Sequence, residues 1–264
     1  MQLGRPEAAD PKPLQNFLPK ASLPRLGLYA CLLPVAMVEG HWLRRTVPRL
    51  AEAAGPRAGV AGRGAPLRLL VVGDSSAAGV GVATQDQALC GRLLAGLRAD
   101  FRLTWLLVAK SGWLTRELRQ ALREIPPREF DVAVTATGVN DLTDRFSTAE
   151  CLAEIVCLVE LLRRRFAVRH VLVTGMPPAH RLPTLPEPLR WYLGDRAKRL
   201  DASLCSWAGR QADCDHLSMQ GVDVSPREMA VDGFHPGPGI YACWGQAAAR
   251  KIRARWLARG DGGE

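Results

Sequence analysis

From Leu67 onward, short apolar runs alternate with longer segments of helical period, and few folds accommodate that alternation. The runs at 68–72, 103–108, 131–136 and 170–175 are mostly apolar and end in small or polar residues, the pattern of strands buried on both faces. A weaker fifth run lies at 221–224. Between them, Leu114, Leu118, Ala121, Leu122 and Ile125 recur at helical spacing, as do Leu152, Ile155, Val159, Leu162 and Phe166. Two capping boxes are expected to open helices, Thr84 with Gln87 and Ser147 with Glu150, and a last helix is expected over 239–258. Repeated strand and helix units force a parallel sheet covered on both faces, because connections of one hand lay their helices across it. The predicted fold class is therefore α/β, a three-layer α/β/α sandwich, with its functional groups at the carboxyl ends of the strands.

Residues 1–66 do not follow this rule. Five prolines precede residue 25, an apolar run at 26–38 contains Gly27 and Pro34, and a Gly/Pro-rich stretch ends at Pro66. This reads as a leader and linker, followed by a domain at 67–258 and a short tail at 259–264. The thirteen-residue run is too short to cross a bilayer, which needs about twenty residues. Two readings of it stay open. One is contact with a membrane surface through residues 26–45, as an anchor or uncleaved signal, with Arg44, Arg45 and Arg49 suited to the interface. The other is a segment packed on the domain.

Composition narrows the function classes. Of 264 residues, 47 % are apolar and 23 % charged, which excludes a largely disordered chain and a multi-spanning membrane protein. The net charge is +9, yet the basic residues are mostly arginines spread along the whole chain. No helix-turn-helix, finger or aromatic strand motif accompanies them, so nucleic acid is not expected as a partner. Seven scattered cysteines with no CxxC spacing argue against a disulfide framework or thiolate zinc site, and Cys205, Cys214 and His216 lack a ligand spacing. Unpaired thiols suit a cytoplasmic or membrane-associated protein, while the leader leaves export open.

Strand one runs into Gly73-Asp74-Ser75-Ser76, a serine in the first turn beyond a buried strand, among small residues. A phosphate loop and a GxSxG elbow are both ruled out by their missing residues. Strand two ends in Ser111-Gly112, strand three in Gly138-Val139-Asn140-Asp141, and Asp232-Gly233-Phe234-His235 stands far downstream. Singly, each is a turn, a cap or a surface histidine. Together at one sheet edge they supply a nucleophile, a base, an orienting carboxylate and oxyanion donors.

These four blocks, in this order, resemble the SGNH hydrolases, also called GDSL-type esterases and lipases. The resemblance covers Leu67 to about Trp256 and excludes the leader, and Ser76 stands where the name-giving leucine would be. It implies a flavodoxin-like α/β/α fold and a triad of Ser75, Asp232 and His235. It also implies an oxyanion hole made by the N–H groups of Ser75 and Gly112 and the side-chain amide of Asn140. Such chemistry calls for no metal and no organic cofactor. An unassisted serine hydroxyl is a poor nucleophile near neutral pH, so His235 would take its proton while Asp232 holds the ring. The stiff proline-rich loop after strand four offers Leu182, Leu185 and Trp191 as acyl-pocket lining. The expected substrate is a carboxylic ester, of a lipid or a small acyl group, with lysophospholipase- or thioesterase-like chemistry. A carbohydrate O-deacetylase, an acyltransferase and a catalytically silent binding module are the alternatives.

Overall fold

A computed structural model describes residues 14–19, 23–144 and 147–260. Helix α1 (Leu23–Thr46) comes first, followed by β1 (Ala58–Ala61), β2 (Ala65–Gly73) and the short helix α2 (Ser75–Ala78). Then come α3 (Leu89–Leu97), β3 (Phe101–Ala109), α4 (Thr115–Glu124), β4 (Val132–Ala136) and α5 (Val139–Thr143). The chain continues through α6 (Thr148–Phe166), β5 (His170–Thr174), α7 (Leu189–Ala208), β6 (Cys214–Leu217) and α8 (Pro238–Gly260).

The six strands form one sheet in the order β1-β3-β2-β4-β5-β6, parallel except for β1. Counting the parallel strands alone, the order is the flavodoxin arrangement, with its switch point between β2 and β4. The expected α/β/α fold is the fold observed. Alternate residues of β2 enter opposite cores, as the period of a strand requires. Leu67, Leu69 and Val71 meet α3 and α8 through Leu89, Leu93 and Trp244, while Leu70 and Val72 meet α4 and α6 through Leu118 and Leu152.

Several local expectations change. The sixth strand is Cys214–Leu217, and residues 221–224 form no strand: Val222 N–H bonds Met219 O at 3.2 Å to close a turn, and 222–224 follow it without regular structure. A short edge strand with Asp and His at its centre carries almost no alternation to read. Thr84 and Gln87 do not open a helix. They close a turn, Gln87 N–H to Thr84 O at 3.0 Å, and α3 starts at Leu89. Ser147 and Glu150 do cap α6: Ser147 N–H bonds the Glu150 carboxylate at 2.6 Å, and Glu150 N–H bonds Ser147 Oγ at 3.2 Å.

The stretch read as linker carries β1, which pairs antiparallel with β3, and residues 65–66 lengthen β2. β1 is Ala-Gly-Val-Ala and mostly exposed, so it lacks the branched apolar signature of an interior strand. In the leader, α1 runs through Pro34 and packs on α7.

Candidate active site

β2 ends at Gly73, and Asp74 turns the chain into α2 by accepting the N–H of Ser76 on Oδ1 at 3.0 Å. This puts Ser75 at the carboxyl end of an interior parallel strand, between β3 and β4. The downstream block forms a tight loop, with Gly233 N–H bonding Ala230 O at 2.8 Å and Ala230 N–H bonding His235 O at 2.9 Å. Within it, Asp232 Oδ1 accepts the N–H groups of Phe234 (2.9 Å) and His235 (3.0 Å). The two loops touch at Gly81, where φ is +104° and a Cβ would lie 2.3 Å from Pro236 O.

That approach brings three expected residues into one hydrogen-bonded chain. Ser75 Oγ lies 3.0 Å from His235 Nε2, and His235 Nδ1 lies 2.6 Å from Asp232 Oδ2. All three are largely buried, Asp232 completely so at its side chain. With Nδ1–H donated to the carboxylate, Nε2 is left to accept the serine proton. Burial acts to raise the Asp232 carboxyl. Hydrogen bonds from the His235 ring and from the N–H groups of His235 and Phe234 outweigh it, and the group is held below the usual carboxylate range. It is therefore ionised wherever the histidine needs a counter-charge.

The other two blocks meet one strand away on either side. Gly112 follows β3 with φ +82° and nothing within 4 Å of a would-be Cβ, so the backbone there is open to an approaching group. Asn140 opens α5 after β4, and its Nδ2 donates to Trp113 O at 2.9 Å, tying the two loops together. Asp141 doubles the tie: Thr115 donates its Oγ1–H to the Asp141 carboxylate at 2.8 Å and its N–H at 3.2 Å. The sequence suggested only turn chemistry for Asp141. The structure makes it a buried clamp, with Thr137 Oγ1 joined at 2.9 Å to Thr115. The signal in the sequence was slight, one acid between Asn140 and the apolar Leu142. Burial also raises its carboxyl, against the pull of the Thr115 bonds.

Asp74 is equally dry, and burial pushes its carboxyl up to about 7, partly offset by the N–H of Ser76. A second histidine–aspartate pair was not anticipated. His216 Nε2 lies 3.0 Å from Asp201 Oδ1, which also accepts Met176 N–H at 2.9 Å. Among the described residues no three His, Cys, Asp or Glu side chains converge as a metal-binding group. Cys205 is exposed on α7, whereas Cys214 is buried at the start of β6.

Ser75, Asn140 and His235 line a cavity of about 90 Å³ whose remaining walls are mostly apolar. Leu182 and Leu185 belong to those walls; Trp191 does not. It sits two positions from Leu193, so the helical turn that points Leu193 into the cavity points Trp191 outward, edge-on to Tyr29 at 5.8 Å. Sequence reading missed the residues that α7, the 219–229 segment and α8 contribute, Leu193, Met219, Met229 and Trp244 among them. Their spacing announces only a core.

A flavodoxin-like α/β/α sandwich with a hydrogen-bonded serine, histidine and aspartate at its carboxyl edge is the architecture of the SGNH hydrolases. This chain belongs to the GDSL-like Lipase/Acylhydrolase family, whose model matches residues 71–243. Among solved structures it is similar to Est24, a carbohydrate acetylesterase from Sinorhizobium meliloti, at 18 % identity over 72 % of this chain and 99 % of that one, with TM-score 0.55. A Corynascus thermopiles (Myceliophthora fergusii) carbohydrate esterase family 2 enzyme with its carbohydrate-binding domain aligns at 16 % identity over 78 % and 69 %, TM-score 0.54. The lipase/acylhydrolase of Enterococcus faecalis aligns at 17 % identity over 72 % and 96 %, TM-score 0.52. No curated protein matches in sequence.

Proposed function

We propose that the chain is a serine esterase acting on carboxylic esters with an apolar acyl group longer than acetyl. The observation that carries this reading is the chain of contacts from Asp232 through His235 to Ser75, at 2.6 and 3.0 Å, opening on an apolar cavity. In this reading Ser75 Oγ attacks the ester carbonyl while His235 Nε2 takes its proton. The tetrahedral oxyanion is held by the N–H groups of Ser75 and Gly112 and by Asn140, each donor contributing about 2.7–4 kcal/mol to the barrier reduction. His235 then returns the proton to the departing alcohol, and water releases the acyl group by the same steps in reverse. A hydrated sugar would leave its hydroxyls unpaired against walls such as Leu182, Leu185 and Met219, so the cavity suits the acyl side and the alcohol faces solvent.

The test is hydrolysis of p-nitrophenyl esters from acetate to palmitate by wild type and Ser75→Ala, with fluorophosphonate labelling alongside. The expected result is activity and labelling in wild type alone, with an optimum beyond acetate. An optimum at acetate moves the reading to an O-deacetylase. Absence of both turnover and labelling moves it to a binding module.

A further inference from the structure

Helix α1 is apolar on both of its faces, a pattern that in a soluble helix requires cover on both sides. Its inner face has that cover: Ala36 and Leu43 are buried in the same core as Leu185, Leu189 and Leu193, Tyr29 OH donates to Asp195, and Glu39 accepts the N–H of Leu189 at 2.9 Å. Its outer face has none among the described residues. Leu28, Cys31, Val35, Val38 and Trp42 follow one another at spacings of three, four, three and four, one continuous stripe, and Val38 is 70 % and Trp42 58 % exposed. Six of the ten exposed large apolar side chains among the described residues lie on this one helix.

From these observations we propose that α1 is an interfacial helix that seats the protein on an anionic lipid surface, lying flat with the stripe immersed. At 24 residues it is about 36 Å long. No helix among the described residues is long and apolar enough to cross a membrane, so α1 lies on a bilayer rather than through it. Charge favours lipid over a second copy of the chain. Beyond Trp42 the stripe continues into the exposed Arg45, and Arg49 is exposed just past the helix end. The one acid of α1, Glu39, is bonded on the inner side. A copy of this face would bring arginines with no acidic partner to pair them, whereas lipid phosphates would pair them directly. Trp42 beside the arginines fits the headgroup level, where amphipathic rings settle. The inner side of the same helix packs on α7, which lends Leu193 to the cavity.

The experiment uses the full chain and sedimentation with vesicles of equal parts phosphatidylcholine and phosphatidylglycerol, or of phosphatidylcholine alone. Wild type is expected to sediment with the anionic vesicles and release at high salt. Val38→Asp with Trp42→Asp is expected to lower partition about tenfold or more at an unchanged melting temperature. Arg45→Gln with Arg49→Gln is expected to weaken binding to anionic vesicles and flatten its salt dependence. Equal binding of wild type to both vesicle types, or none to either, overturns the proposal. So does analytical ultracentrifugation showing a wild-type dimer, without vesicle binding, that Val38→Asp with Trp42→Asp converts to monomer. None of these readouts depends on ester hydrolysis, so the proposal stands or falls apart from the enzymatic reading.

Discussion

His235 and His216 each face a buried aspartate near the carboxyl ends of the strands, and the two pairs are built in opposite ways. His235 presents Nδ1 to Asp232 and Nε2 to Ser75, and both residues come from one loop whose own N–H groups bind the same carboxylate. His216 presents Nε2 to Asp201, so the nitrogen that would serve a nucleophile is already taken, and the pair bridges α7 and β6. Asp201 also grips the backbone of Met176, a cavity-lining residue. A histidine beside a carboxylate is thus a proton-transfer device only if its far nitrogen is free and aimed. Otherwise it is a tie between elements.

The comparison can be broken most forcefully at the first pair. Ser75→Ala, His235→Ala and the double variant are each expected to lower turnover on the order of 10⁶-fold, the double no further than either single, because the groups act as a unit. Losses that multiply would show two independent contributions. Asp232→Asn should lower kcat by about 10⁴-fold with little change in KM, since the ring loses the partner that sets its tautomer. A tenfold effect would show that orientation comes from elsewhere. At the second pair, Asp201→Asn and His216→Ala should lower stability by about 1–3 kcal/mol in thermal melts and leave kcat within tenfold. A loss of activity approaching that of Asp232→Asn would give the second pair a part in the reaction.

The smallest effect concerns two aspartates at the same edge. Asp232 is held below the carboxylate range and supports the fold above ordinary carboxylate pH, a contribution lost as the solution becomes acid. Asp74, raised by burial to about 7, behaves inversely: it is protonated and tolerated at low pH, and its contribution is lost as pH rises from about 4 through 7. Asp74→Asn keeps an acceptor for Ser76 N–H and carries no charge. Its melting temperature relative to wild type should therefore climb by several degrees or more between pH 4 and pH 8. A difference that does not vary with pH would show that Asp74 does not titrate in this range.

The two pairs also separate what could be read from the chain from what could not. Asp232 and His235 are three residues apart, within reach of one turn, and β2, β4 and β5 are buried strands whose apolar runs need no partner to be recognised. Asp201 and His216 lie in a helix and a short edge strand, fifteen residues apart, and nothing local marks them as neighbours. The same holds for β1, an Ala/Gly strand made only by pairing with β3, and for Trp191, whose direction follows from which side of α7 faces the sheet.

By itself the sequence determined the α/β/α class, the parallel order of events along the chain and the four short blocks of polar residues. Each of these depends on periodicity or on spacings of a few residues, where the geometry of a strand, helix or turn sets what the side chains can do. Tertiary structure alone decided that Ser75 and His235, 160 residues apart, meet at 3.0 Å. It also decided that Asp141 clamps the Gly112 and Asn140 loops, and that the cavity takes its walls from α7, α8 and the 219–229 segment. Those contacts arise from sheet order and helix packing, and such long-range closeness is a property of the folded chain as a whole.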